Sequence, residues 1–259
     1  MPRQAREKSE TGIYHVIFRG TNRQIIFHDN RDRMRFLTIL KKVAEFSSMA
    51  IYSWCLMGNH VHLLVKEGSE SLSVSMKRIS VSYVWYYHER YGTTGHFFQD
   101  RFTSEKVERE DYLLTVVRYI HQNPLKANLV KKMTDWPWSS CREYYGHEPV
   151  VKNMVATDCI LDYFSDNRKA AIESFNAFNE TYSEDHCLED QKGRRTDREI
   201  EEEIKKLLPG IIIQEIKKMK KKERNAVIYK IKGIKGVSQR QIARILGVSP
   251  KTVFNAGTQ

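Results

Sequence analysis

Residues 50–65 read AIYSWCLMGNHVHLLV, two apolar runs hinged at Gly58-Asn59. Branched and aromatic side chains suit a pleated, half-buried surface, and a Gly-Asn pair between two such runs signals a tight hairpin. The two arms therefore read as antiparallel strands over 50–57 and 60–65. Side chains two apart on a strand share a face. His60 and His62 then lie side by side on one face, with Val61 and Leu63 on the other.

The flanks extend this pattern on both sides. Upstream, GIYHVIFRG (12–20) nearly alternates and stops at a glycine, which predicts a strand. Between it and the hairpin, residues 30–46 place Met34, Phe36, Leu37, Leu40 and Val43 near helical spacing, with Asn30 as the expected N-cap. Downstream, residues 71–92 predict a long amphipathic helix stopped by Gly92, and HFFQDRFTSEKV (96–107) a fourth strand or bent ribbon. DYLLTVVRYIHQN (111–123) reads as a helix closed by Pro124, because proline disfavours helix in the residue before it. The order β-α-β-β-α-β plus a further helix predicts an α+β fold, a ferredoxin-like split βαβ antiparallel sheet with packed helices.

Charge divides the chain in three. The net charge is +11 over 259 residues, but residues 1–144 hold 22 Lys and Arg against 15 Asp and Glu, residues 145–190 hold 3 against 10, and residues 191–259 hold 18 against 7. Basic blocks suit a polyanion, because every phosphate neutralised releases condensed counterions. The expected organisation is an α+β domain over 1–145, an acidic helical extension and linker over 146–195, and a basic helical region over 196–259. A helical pattern from Asp166 to Phe178 falls in the extension, and SEDHCLEDQKGRRT (183–196) reads as an exposed linker. No stretch approaches the roughly 18 apolar residues of a membrane span, and the polar N-terminus lacks the apolar core of a secretory signal. These features predict a cytoplasmic protein with no membrane partner. Its four scattered cysteines, without a CxxC pair, are expected to be free thiols.

Two small constellations carry chemistry. The paired imidazoles of His60 and His62 can both reach one metal ion, although two histidines so spaced also occur as ordinary partly buried side chains. In YIHQNP (119–124), Tyr119 and Asn123 are four apart and share a helix face. The phenol can act as a covalent nucleophile and the amide oxygen can ligate a hard cation, whereas a helix-end tyrosine can equally be packing. His121, two residues from Tyr119, should face away as a surface or packing residue.

The stretches YHVIFRGTNRQIIF (14–27), WCLMGNHVHLLV (54–65), GHFFQDRFTS (95–104), DYLLTVVRYIHQNP (111–124) and DWPWSS (135–140) run in order across about residues 10–145. Together they resemble the IS200-like single-tyrosine (Y1) transposases of the HUH-endonuclease superfamily, above all the REP-associated tyrosine transposase branch. That resemblance implies His60 and His62 as metal ligands, Tyr119 as nucleophile and Asn123 as third ligand, in a place where related members have the longer Gln. It further implies a divalent cofactor, Mg²⁺ or Mn²⁺, and cleavage of single-stranded, hairpin-flanked DNA through a 5′-phosphotyrosyl intermediate. Arg19, Arg23 and Arg101 are candidates to track the backbone, and Phe97 and Phe98 to stack bases, with core packing the competing role for the two rings.

Residues 238–256 carry a separate signature. SQRQIARILGVSPKTVFNA predicts a helix, Gly247 as its C-cap, and a second helix N-capped by Ser249 with Pro250 in its first position. It resembles DNA-binding helix-turn-helix modules, in which the second helix enters the major groove. Ser249, Lys251, Thr252 and Asn255 are the candidate contacts to duplex DNA. The resemblance thus implies a DNA-cutting and rejoining transposase, with a homodimer as the default expectation and a monomer left open. A DNA-binding regulator that keeps the fold without cutting is the alternative, with an RNA-processing enzyme behind it.

Overall fold

The chain, seen here in a computed structural model that describes residues 7–181, 187, 197–234 and 237–257, divides into two compact units, Met1–Leu188 and Glu189–Gln259. The first is built on four strands: β1 (Ile13–Arg19), β2 (Ala50–Leu56), β3 (His60–Lys66) and β4 (Thr103–Lys106). They pair antiparallel in the order β2-β3-β1-β4, with β1 and β3 central. Helices α1 (Asn30–Ser47) and α2 (Leu72–Tyr91) interrupt the strands, and α3 (Glu110–Lys126) follows the last one. This is the ferredoxin-like α+β arrangement.

Alternation along the strands separates two cores. Tyr14, Val16 and Phe18 of β1 share one face with Val61, Leu63 and Val65 of β3 and with Trp54 and Leu56 of β2, and α1 and α2 cover it. The facing core joins Cys55 and Leu64 to Leu113, Val116, Val117 and Ile120 of α3. Each fully buried Val, Leu, Ile or Phe contributes about 1.5–3 kcal/mol, so covering both faces is what fixes the strand register. The polar histidines of β1 and β3 fall on the α3 side.

Two helix ends differ from the sequence-based expectation. Asp29, not Asn30, is the N-cap of α1; its Oδ1 accepts from the Asp32 amide at 3.1 Å. A carboxylate there also offsets the positive end of the helix. Helix α3 runs through Pro124 to Lys126 rather than closing before it. Pro124 has no amide to donate to the Ile120 carbonyl, but Ile120, His121, Gln122 and Pro124 are all buried, and that packing outweighs the loss. Gly92 does end α2, at φ +62°.

The acidic extension packs onto α3 and belongs to the first unit. After α4 (Cys141–Tyr144), it contains α5 (Asp158–Leu161) and α6 (Arg168–Glu180). Asn167 caps α6 by accepting from the Lys169 and Ala170 amides. Gln122 Nε2 donates to the carbonyls of Asn179 at 2.8 Å and Thr181 at 3.0 Å, tying the end of α6 to the end of α3. Residues 183–196, expected to form a linker, lie outside the described residues apart from Cys187. All four cysteines are free, Cys159 exposed and the other three buried.

The second unit is all-helical: α7 (Asp197–Leu207), a 3₁₀ segment (Ile213–Lys218), α8 (Lys221–Lys232), α9 (Gln239–Leu246) and α10 (Pro250–Asn255). Its core is mostly isoleucine, with Ala243, Leu246 and Val253 at the junction of the last two helices. Ser238 caps α9, Gly247 ends it at φ +63°, and Ser249 caps α10. The Asp197 carboxylate accepts from Arg244 and Gln241, which pins α7 to α9. Among the described residues no helix is long and apolar enough to cross a membrane.

Candidate active site

The α3 side of the central strands is where the chemistry-bearing side chains meet. The β1–β3 register sets Arg19 opposite His60 and Ile17 opposite His62. Directly opposed residues share a face, so Arg19, His60 and His62 point the same way. The imidazoles of His60 and His62 lie 4.9 Å apart, edge to face. Tyr119, half-buried on α3, brings its ring edge-on to His62 at 5.7 Å.

The surrounding groups fix the orientation of these side chains. Asn59 Oδ1 lies 2.7 Å from His60 Nδ1, so it accepts the proton there and leaves Nε2 as the ring's free lone pair. The loop after β1 clamps the same turn: the Gly20 amide donates to the Asn59 carbonyl at 3.0 Å and the Ile26 amide to the Gly58 carbonyl at 2.9 Å. Within that loop Asn22 and Arg23 are both left-handed, at φ +52° and +61°. This is a strained backbone for residues with a Cβ, and it persists because both ends of the loop are tied down.

Burial sets the electrostatics. It lowers the His60 pKa to about 4, with the Arg19 guanidinium adding to the effect. His62 lies well below the ordinary range, first through burial and then through His60, His15 and Arg19. Arg19 itself is lowered to about 10 by burial and by Arg23, while Tyr119 pulls the other way. At neutral pH both imidazoles are therefore uncharged ligand-type nitrogens beside the Arg19 guanidinium. Such a site attracts an anion and can share lone pairs with a cation.

Among the described residues no three His, Cys, Asp or Glu side chains are grouped to hold a metal ion. Asn123 is one helical turn beyond Tyr119, and its Nδ2 donates to the Tyr119 carbonyl at 3.1 Å, which leaves the amide oxygen as its acceptor end. The donor set of two neutral nitrogens and one amide oxygen fits a borderline divalent cation such as Mn²⁺, and tolerates Mg²⁺.

Residues 8–123 match the family model described as "Transposase IS200 like". Over these residues the chain is similar to the IS200-like transposases. A solved structure described as the REP-associated tyrosine transposase bound to a REP hairpin is also similar. It shares 20% identity and a TM-score of 0.49, covering 61% of this chain and 90% of that one. No curated protein matches.

Other expected site residues are more dispersed. Arg23 is exposed in the strained loop, with its carbonyl accepting from Asn59 Nδ2 at 3.3 Å. Arg101 is exposed in the segment before β4. Phe97 is buried against Tyr87, ring centroids 4.2 Å apart, and Phe98 packs on Phe18 at 5.3 Å. Phe97 is a core residue and not a platform for bases. His121 is fully buried, with Nε2 3.0 Å from Ser140 Oγ, and is a packing histidine. In the second unit Lys251 and Asn255 are exposed on α10, whereas Ser249 Oγ is engaged as the cap, 2.9 Å from Thr252 Oγ1. Sequence reading missed His15, whose ring contacts both His62 and Tyr119. A lone histidine in a strand carries no signal until the register is known.

Proposed function

We propose that the chain is a metal-dependent, single-tyrosine endonuclease and strand transferase acting on single-stranded, hairpin-flanked DNA. The observation that carries the reading is the meeting of the Tyr119 phenol with the His60–His62 pair on one sheet face beside Arg19. His60, His62 and Asn123 would hold the divalent cation, Mg²⁺ or Mn²⁺, which when bound polarises the phosphoryl group as a Lewis acid. Tyr119 attacks the phosphorus; its phenolic oxygen forms the new ester bond, the bond to the 3′ oxygen breaks, and that oxygen leaves as a hydroxyl after taking up a proton. The product is a 5′-phosphotyrosyl linkage that conserves the ester bond, so rejoining needs no nucleotide cofactor. Arg19 and Arg23 hold the scissile phosphate and offset the charge that builds on its oxygens. An unperturbed phenol with a pKa near ~10 is a poor nucleophile at pH 7, which is why a charged, partly dry setting matters.

The hairpin preference and the place in the REP-associated branch rest on the ordered sequence motifs. The second unit serves as a duplex-DNA reader through α10, with Lys251, Thr252 and Asn255 at the groove and Ser249 holding the helix start. Labelled single-stranded hairpin DNA from the gene's own flanks, incubated with Mn²⁺, should give a covalent adduct with wild type and none with Tyr119→Phe. Retained DNA binding without any adduct would favour a regulator that no longer cuts, and an adduct on the matching RNA would point to RNA processing.

A further inference from the structure

His15 lies on β1 between two residues of the opposite core, Tyr14 and Val16, and so faces α3. It is completely buried. Its Nε2 lies 3.1 Å from Nδ1 of His62, and the two rings stack at 5.4 Å with 28° between their planes. The same ring meets the Tyr119 ring edge-on at 5.8 Å. Its other nitrogen, Nδ1, is buried without a hydrogen-bond partner. An aliphatic side chain would fill this position without leaving a polar atom stranded, so the imidazole needs an explanation other than packing.

A neutral imidazole has one N–H and one lone pair, and a bond between two of them can run in only two ways. If His15 donated, His62 would carry its proton on Nε2 and could not ligate through it. If His15 accepts, His62 is protonated on Nδ1 and its Nε2 lone pair is free. Histidines that bind metals are typically held in this second way, by an acceptor on the far nitrogen.

We propose that His15 is a positioning residue for the metal site, accepting a hydrogen bond from His62 Nδ1–H and so fixing the tautomer that presents Nε2 to a divalent cation. This rests on the proposed function, since it takes His62 as a ligand. Asn59 does the same for His60 from the neighbouring turn, so each imidazole of the pair has its own acceptor.

Mn²⁺ binding to the DNA-free, full-length chain, followed by the loss of the free-ion EPR signal, tests it without relying on cleavage. Wild type should bind the ion, and His60→Ala should abolish binding. His15→Phe keeps the ring volume and removes the acceptor, and it should weaken Mn²⁺ about 10- to 100-fold. His15→Gln, whose amide oxygen reaches the same place, should recover most of that loss. A purely structural role predicts wild-type Mn²⁺ affinity in His15→Phe at whatever thermal stability, and that result would overturn the assignment. Long-range ¹H–¹⁵N correlation on the wild-type rings gives a check that needs no variant. An Nδ1-protonated His62 supports the proposal, and an Nε2-protonated one refutes it. Failure of wild type itself to bind Mn²⁺ would remove the metal-dependent reading together with this one, whereas wild-type binding that His15→Phe leaves unchanged removes this one alone.

Discussion

Phe175→Ala examines whether the acidic extension helps to hold α3, the helix that carries Tyr119. Phe175 is fully buried on α6 and stacks on Tyr144 at 4.7 Å, with Phe164 at 5.6 Å and His121 of α3 at 6.0 Å. Truncation removes a whole ring from this cluster and leaves a cavity walled by other rings that cannot collapse easily. Such Phe→Ala changes cost about 3–5 kcal/mol, a large share of the ~5–15 kcal/mol that holds a domain together. With a urea slope of about 2 kcal/mol per molar, the unfolding midpoint should fall by about 2 M. All four tryptophans, Trp54, Trp85, Trp136 and Trp138, lie in the first unit, so their fluorescence reports its unfolding without interference from the second. Phe178→Ala is the internal control. That ring is half-buried under the Arg118 guanidinium, 4.3 Å away, and its loss should cost only about 1 kcal/mol. A midpoint for Phe175→Ala within 0.5 M (about 1 kcal/mol) of wild type would refute the reasoning. The extension would then be an appendage, and His121 and Gln122 would not anchor α3 through it.

Glu143 is pushed up to about 7 from an ordinary 4.5 by burial, and its Oε1 has no hydrogen-bond partner. The native state therefore keeps a proton that the unfolded chain has released, and the stability this supplies, full below about 4.5, is lost as pH rises through about 7. Glu143→Gln should accordingly melt several degrees higher than wild type at pH 8, a gain of about 1–2 kcal/mol after discounting for partial solvation, and no higher at pH 4.5. Arg19→Ala should slow adduct formation and lower the slope of log affinity against log salt on single-stranded DNA by about 0.7, the share of one phosphate contact; an unchanged slope in a filter-binding titration would remove Arg19 from the backbone track. Lys251→Glu in the full chain should weaken duplex DNA binding at least about tenfold at 0.1 M salt and reduce that slope by about 0.9. Duplex affinity equal to wild type would leave α10 without its proposed role.

What the sequence revealed depended on how local the physics was. Period-two alternation around Gly58-Asn59 is a property of one hairpin, and it puts His60 and His62 on a common face without further information. Spacing of four on α3 likewise pairs Tyr119 with Asn123. The proximity of Tyr119 to His62 is not local; it became legible only through resemblance to a family. His15 stayed invisible because its significance comes from the β1–β3 register, which no single strand encodes. Pro124 misled because a rule about one backbone amide was set against the burial of four neighbouring side chains, and the burial won. The acidic extension shows the same limit: Phe175, Ile160 and Leu161 share a core with α3, and no local pattern in the extension encodes that partner. Asp29 and Asn30 are both capping residue types, and only the backbone shows that Asp29 receives the amide proton.

The central claim is that the Tyr119 oxygen becomes bonded to DNA in a metal-dependent step. The most direct measurement is mass spectrometry of the proteolysed adduct, formed with Mn²⁺ on single-stranded hairpin DNA and compared with an EDTA control. The account predicts a nucleotide mass on the peptide containing Tyr119, attached through a 5′ phosphate, absent in EDTA and in Tyr119→Phe. A nucleotide on any other residue, or an adduct that forms equally well in EDTA, would contradict it.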